Sequence, residues 1–238
     1  TAVVSLFFFT KIKSLLHFKK PVFRLQVLVN AATNGCSEMA TALVTGIITM
    51  MFNWTMLRYV GEDGVAAVTI IMYVLMFASS LYTGYSYGVA PMLSYYYGEQ
   101  NHQKLKKMVT VSLKVITGIS LVTVGASFIL TRPLVSIFAR PDNPVYDLAV
   151  TGNRICTVAL LFIGFNIFAS GMFTALSNGV VSAVLAFSRS FVFMLITMLV
   201  LPALLGVNGI WLATPAAELM ALALSVFLFL KYRKRYGY

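Results

Sequence analysis

The stretch VAAVTIIMYVLMFASSLYTGYSYGVAPMLSYYYG, residues Val65 to Gly98, contains no charged side chain from end to end. A helix needs about 20 mostly apolar residues to cross some 30 Å of hydrocarbon, so this run is longer than a perpendicular crossing requires. Tilt, or a kink at Pro91, absorbs the excess. Strict two-residue alternation is absent, which excludes a transmembrane barrel strand and leaves the helix as the structure that satisfies its own backbone in lipid.

Working outward, the same pattern repeats. Before Val65 stands the turn Gly61-Glu62-Asp63-Gly64, and before that a span ending near Arg58. After Gly98 comes the polar loop EQNHQKLKK, then spans at about Met108–Leu130, Tyr146–Leu176, up to Leu205, and Ile210–Leu230. The loop RPLVSIFARPDNPVYD, Ser177-Asn178-Gly179 and Gly206–Gly209 separate them. The chain of 238 residues is 59% hydrophobic and 11% charged, with mean hydropathy +0.86. Soluble domains carry about 25% charged residues. The fold class expected is an all-α integral membrane protein, a bundle of six transmembrane helices.

The net charge of +11 is distributed as a topology signal rather than as a groove for nucleic acid. One side collects Lys11, Lys13, Lys19, Lys20, Arg24, Lys104, Lys106, Lys107, Lys114, Arg189, Lys231, Arg233, Lys234 and Arg235. The other has Arg58, Arg132, Arg140 and Arg154 diluted by Glu62, Asp63, Asp142 and Asp147. Basic loops stay in the cytoplasm, so a cell-membrane protein with its linker and C-terminus inside is expected, in contact with membrane lipids. The organisation reads as the tail of a preceding transmembrane helix (1–10), a basic cytoplasmic linker (11–24), a six-helix lobe (25–230) and a basic tail (231–238). Thr1 to Thr10, TAVVSLFFFT, has the composition of a helix whose beginning lies upstream.

Ionisable groups inside spans mark functional sites. Two carboxylates fall there, Glu38 and Glu218. Glu38 belongs to a stripe, Asn30, Asn34, Glu38, Thr41, Thr45 and Thr49, at helical spacings of three and four. Such a stripe suits a hydrated cavity that binds a proton or cation; interhelical hydrogen bonding at about 0.6 kcal/mol per contact is the plainer reading. Glu218 follows Pro215 by one turn, where a structural or gating role competes with substrate contact. The fourth span carries Asn166, Ser170, Thr174 and Ser177 with Gly164 and Gly171, a pattern that first suggests close helix packing. In the second span Tyr73, Ser80, Tyr87 and Ser94 recur every seven residues on nearly one face, and Tyr95–Tyr97 read as interface anchors.

Catalytic groupings do not emerge. His17 and His102 lie in loops, there is no HExxH, GxSxG or phosphate-binding glycine loop, and no nucleotide domain to drive a pump. An enzyme is therefore not expected. Cys36 and Cys156 sit in apolar runs and read as buried free thiols, and no metal-ligand cluster is apparent.

Several segments together resemble the multidrug and toxic compound extrusion (MATE) transporters: TNGCSEMATALVTG (Thr33–Gly46), YVGEDGVAA (Tyr59–Ala67), GYSYGVAPMLSYYYGEQNHQKLKK (Gly84–Lys107), GFNIFASGMFTALSNG (Gly164–Gly179) and GIWLATPAAE (Gly209–Glu218). The resemblance implies a twelve-helix transporter of two six-helix lobes, of which this chain is similar to the second, with a first lobe upstream as its partner. It implies export of small organic, cationic compounds in exchange for Na+ or H+, with no other cofactor. By position, Glu38 matches the acid of the family's seventh helix, and Asn166 stands where some members carry a second acid. Cation coupling is then expected from Glu38 with Asn34, Thr41 and Asn166, and a substrate path from Tyr73, Tyr87, Ser170 and Glu218. A lipid or lipid-linked oligosaccharide flippase of the same superfamily is the alternative. Its cavity should be basic, whereas the charges inside these spans read as acidic. A non-transporting membrane fragment or a half-sized homodimer is the reading from a different class.

Overall fold

The computed structural model describes residues 25–238, with side chains from Leu43 onward apart from Lys234, and that of Leu25. The packing below concerns residues 44–238. The described chain is helical throughout: α1 (Leu25–Tyr59), α2 (Glu62–Gly98), α3 (His102–Ile129), the short α4 (Thr131–Ser136), α5 (Pro144–Cys156), α6 (Leu160–Ala175), α7 (Gly179–Phe187), α8 (Met194–Leu205) and α9 (Val207–Tyr236). A single 3-10 turn, Thr157–Ala159, joins α5 to α6, and a π-helical stretch, Ser188–Phe193, joins α7 to α8. Each of these pairs is therefore one continuous rod.

Among the described residues five rods are long and apolar enough to cross a membrane: Glu62–Gly98, His102–Ile129, Pro144–Ala175, Gly179–Leu205 and Val207–Arg233. Helix α1 has 35 residues. Five of the six expected spans are thus recovered among the described residues, and both Pro91 and Pro215 lie inside unbroken helices.

Local chemistry sets the turns. Asn101, Asn143 and Asn178 cap α3, α5 and α7 through side-chain oxygens that accept from Lys104, Val145 and Val181 backbone N–H groups at 3.1, 2.9 and 3.3 Å. Pro144 at the start of α5 loses no helical bond. Part of the loop expected after Leu130 is helical as α4, with Pro133 inside its first turn, where the missing N–H is not needed.

The rods assemble around two apolar clusters. One joins Phe52, Met56, Val68, Ile71, Tyr82, Ala149, Leu160, Ile163, Met198, Ile210 and Trp211; the other joins Leu93, Leu105, Ile116, Phe168, Met172, Phe173, Leu185, Leu228 and Tyr236. Gly152 and Gly164 let helices approach closely. A Cβ on Gly164 would stand 2.6 Å from the Tyr82 ring, and one on Gly152 2.8 Å from Trp211. Buried Tyr82 is held by a 2.6 Å bond with Thr123 and by donation to the Leu160 carbonyl at 2.9 Å.

The two ends of the bundle are identified by long-range contacts. His102 Nδ1 lies 3.0 Å from the Tyr236 carbonyl, and Asn178 donates to the Tyr236 hydroxyl at 2.9 Å. The α2–α3 loop, the α6–α7 turn and the end of α9 thus meet. His102, expected in a loop without a partner, is the first residue of α3 and is engaged by this contact. At the opposite end Tyr59 donates to the Pro202 carbonyl at 3.2 Å.

Candidate functional site

Between the two apolar clusters lies a polar layer. On α9 the buried positions Trp211, Thr214, Glu218, Ala221 and Ser225 follow one another at three- and four-residue steps, so a single stripe carries the carboxylate inward. On the α7–α8 rod the inward stripe runs Val181, Ser182, Leu185 and then Arg189. Arg189 is about 15 Å along its rod from Gly179 and Glu218 about 16 Å along α9 from Val207. Both are near the middle of the span.

They form an ion pair. Arg189 Nε donates to Glu218 Oε1 at 2.8 Å and to Oε2 at 3.0 Å. Asn166 on α6 closes the arrangement: its Nδ2 donates to Glu218 Oε2 at 2.8 Å and to the Glu218 carbonyl at 2.9 Å, while its Oδ1 accepts from Ser225 at 3.0 Å. Glu218 and Asn166 are buried, and the Arg189 side chain keeps 23% exposure. A charge in hydrocarbon is costly unless it is compensated and its hydrogen-bonding capacity is met. Here the carboxylate is met on both oxygens by two different helices.

This corrects two expectations. Arg189 is not in a basic loop but inside a span, because the π-helical stretch that begins at Ser188 still keeps it in line with Leu185 on the inward face. The charges within the described spans are therefore not simply acidic: Arg189 neutralises Glu218. The sequence signal was present, since Arg189 is the lone basic residue in an apolar rod and Glu218 the lone acid in the next one.

The remaining expected residues fall in three places. Asn166 is brought to Glu218, and its amide is fully used there. Ser170 bonds to Ser182 Oγ at 3.0 Å and Thr174 to the same hydroxyl at 2.7 Å, which is the interhelical packing that the stripe on α6 suggested. Tyr73, Ser80, Tyr87 and Ser94 are all exposed and do share one face of α2. Tyr73 stacks on Phe138 at 6.2 Å between ring centres. Glu38, Asn34 and Thr41, like Cys36 and His17, lie outside the residues whose side chains are described. The same helix continues into an open groove of about 840 Å³ between α1 and α2, lined by Thr45, Thr49, Asn53, Trp54 and Glu62. Among the described residues the end of the polar stripe, Thr45 and Thr49, thus lines this groove rather than the packed core.

A second polar cluster, without charge, ties α3 to α5. Ser127 and Thr157 hydroxyls are 2.8 Å apart, and Asn153 donates to Thr131 at 3.2 Å. Cys156 is buried and free, its thiol 3.3 Å from the Trp211 carbonyl. Among the described residues no group of His, Cys, Asp and Glu is placed to hold a metal.

A family model, MatE, matches residues 38–200. The chain belongs to the MatE family. As a MatE protein it also resembles solved transporters along almost its whole length. An outward-facing multidrug resistance MATE transporter of the MOP superfamily is 21% identical with a TM-score of 0.80, and an inward-facing one 20% identical with 0.82; each match covers 99% of this chain and 54% of the other. A MOP superfamily transporter from Pyrococcus furiosus Vc1 (DSM3638), described as having a binding pocket of reverse polarity, is 20% identical with a TM-score of 0.81 over the same shares. This MatE chain therefore spans about half the length of the transporters it matches. No curated protein sequence matches it.

Proposed function

We propose that this chain is one lobe of a secondary active exporter that moves small organic, cationic compounds out of the cell in exchange for Na+ or H+. The observation that carries the reading is the MatE match over residues 38–200, joined to a fold equally similar to half of an outward-facing and half of an inward-facing transporter. A lobe whose fold is common to both states supports rocking of whole lobes about a central site, the usual alternating-access arrangement. A first six-helix lobe, joined through a basic cytoplasmic linker, completes the cavity. The basic end of the bundle faces the cytoplasm.

In this mechanism Glu38 takes up the coupling ion, with Asn34 and Thr41 as neighbouring ligands on the same helix. Ion occupancy shifts the balance between the two states only by as much as its differential affinity for them. The open groove containing Thr45, Thr49, Asn53 and Glu62, continued along the exposed Tyr73 and Tyr87 face of α2, is the substrate path on this lobe. Asn166 and Glu218 support it from behind: they bond to each other, and to Ser225 and Arg189 respectively, which favours a role in lobe integrity over one in ion binding. The neutral Arg189–Glu218 pair removes the charge argument against an acidic lipid cargo but adds none in its favour.

The test is Glu38→Gln in the full-length protein. Ion-dependent efflux is expected to stop while membrane insertion and yield are unchanged. Undiminished export by that variant would overturn the assignment.

A further inference from the structure

The end of the bundle where α3 begins and α9 finishes carries charge of essentially one sign. Lys104, Lys106 and Lys107 project from the first turns of α3, and Lys231, Arg233 and Arg235 from the last turns of α9, all exposed. Among the described residues the carboxylate at this end is Glu99, 3.8 Å from Lys104. The other half is balanced: Arg58, Arg132, Arg140 and Arg154 stand against Glu62, Asp63, Asp142 and Asp147.

These two cation triads are held together by the fold. The His102–Tyr236 contact places the start of α3 against the end of α9, and Asn178 anchors Tyr236 from a third element. Gly237, at φ +72°, packs so closely on the imidazole that a Cβ there would meet His102 Nδ1 at 2.6 Å. Tyr95, Tyr96, Tyr97, Tyr232 and Tyr236 ring the same end, at the level where tyrosines settle in a membrane–water interface. The cations lie against this ring: Lys104 is 5.7 Å from the Tyr96 centroid, Lys231 5.8 Å from Tyr232 and Arg235 5.7 Å from Tyr236. Ammonium and guanidinium groups at that depth are at the level of lipid phosphodiesters.

We propose that this end is a binding surface for anionic phospholipid headgroups, with the α3 and α9 triads grasping the phosphodiesters of the leaflet they face. Lys or Arg near an anionic surface strengthens binding by about fivefold each, and the attraction weakens with salt. The balanced opposite half has no comparable preference and serves as an internal control.

The experiment uses the purified full-length protein in neutral detergent, titrated with phosphatidylglycerol or phosphatidylcholine. Bound lipid is counted by native mass spectrometry and thermal unfolding is followed in parallel. Phosphatidylglycerol is expected to remain bound and raise the unfolding temperature, and phosphatidylcholine is not. The combined Lys106→Gln, Lys107→Gln, Arg233→Gln variant is expected to lose on the order of 100-fold in phosphatidylglycerol affinity. A variant with Lys106→Arg and Lys107→Arg, or with Arg132→Gln and Arg140→Gln, is expected to keep it. Equal effects of the two lipids, retention by the triple glutamine variant, or the same shift from inorganic phosphate at equal concentration would overturn the proposal. Should the glutamine variant not fold, the two-lipid comparison on the unaltered protein and the arginine variant decide it.

Discussion

Removing either member of the Arg189–Glu218 pair is expected to cost far more than removing both. Glu218→Met deletes the acceptor of two Arg189 Nε bonds, at 2.8 and 3.0 Å, and leaves a guanidinium in the middle of the span without its counter-charge. Asn166 suffers less, because its Nδ2 keeps the Glu218 backbone carbonyl at 2.9 Å and its Oδ1 keeps Ser225. The cost is thus dominated by the stranded charge, about 3–5 kcal/mol for breaking one side of a buried pair. Arg189→Met strands the carboxylate instead, with Asn166 alone to solvate it, and falls in the same range. In the double variant two apolar chains of similar length fill the layer, and stability returns to within about 1 kcal/mol of the original or exceeds it. Thermal unfolding of the purified protein in detergent measures all three. At roughly 2–4 °C per kcal/mol for a chain of this size, the singles fall by about 6–20 °C and the double by little. Losses that simply add, to within about 0.5 kcal/mol, would refute the pairing as the organising contact of this layer.

Two further outcomes follow from the packing. Gly164→Ala drives a methyl group into the buried Tyr82 ring and against Ile116, at 2.6 and 2.9 Å. Tyr82 is tied to Thr123 and Leu160 and cannot swing away, so a loss of about 1–3 kcal/mol in unfolding free energy is expected; a change under about 0.5 kcal/mol would show that the helices can part. At the tail, burial first and the neighbouring Tyr236 second push the Tyr238 phenol above its ordinary value, and its hydroxyl donates to the Phe229 carbonyl at 3.2 Å. A raised folded-state value means that this contribution is complete below the ordinary tyrosine value of about 10 and fades as pH rises beyond it. Stability measured across pH 9 to 11 is expected to decline less in Tyr238→Phe than in the unaltered protein; identical profiles would count against the docked tail.

Much of the fold was legible because membrane insertion is decided locally. A run such as Val65–Gly98 is apolar over the length of a bilayer whatever its neighbours are, so hydropathy alone places the helix. The turns at Gly61–Gly64 and Ser177-Asn178-Gly179 are also local, and so were readable. The packing reading of Ser170 and Thr174 survived because small polar residues at helical spacing serve few other purposes in lipid. The layer between the clusters was not legible. Asn166 and Glu218 are 52 residues apart and Arg189 and Glu218 are 29 apart, and no spacing rule links residues on different rods.

Sequence by itself determined that the described chain is a set of long membrane helices, that its basic charge concentrates at one end, and that Glu218 is an acid inside a span. Only the tertiary structure decided which residue pairs with it. Helix burial depends on the residues within one rod, whereas an ion pair depends on the rotation and crossing of two. The inward face of Val181, Ser182 and Leu185 runs on to Arg189 within one rod, but nothing in that rod says which neighbour the face meets or at what height. The pairing with Glu218 makes the charge that looked like a loop residue the counter-ion of this layer.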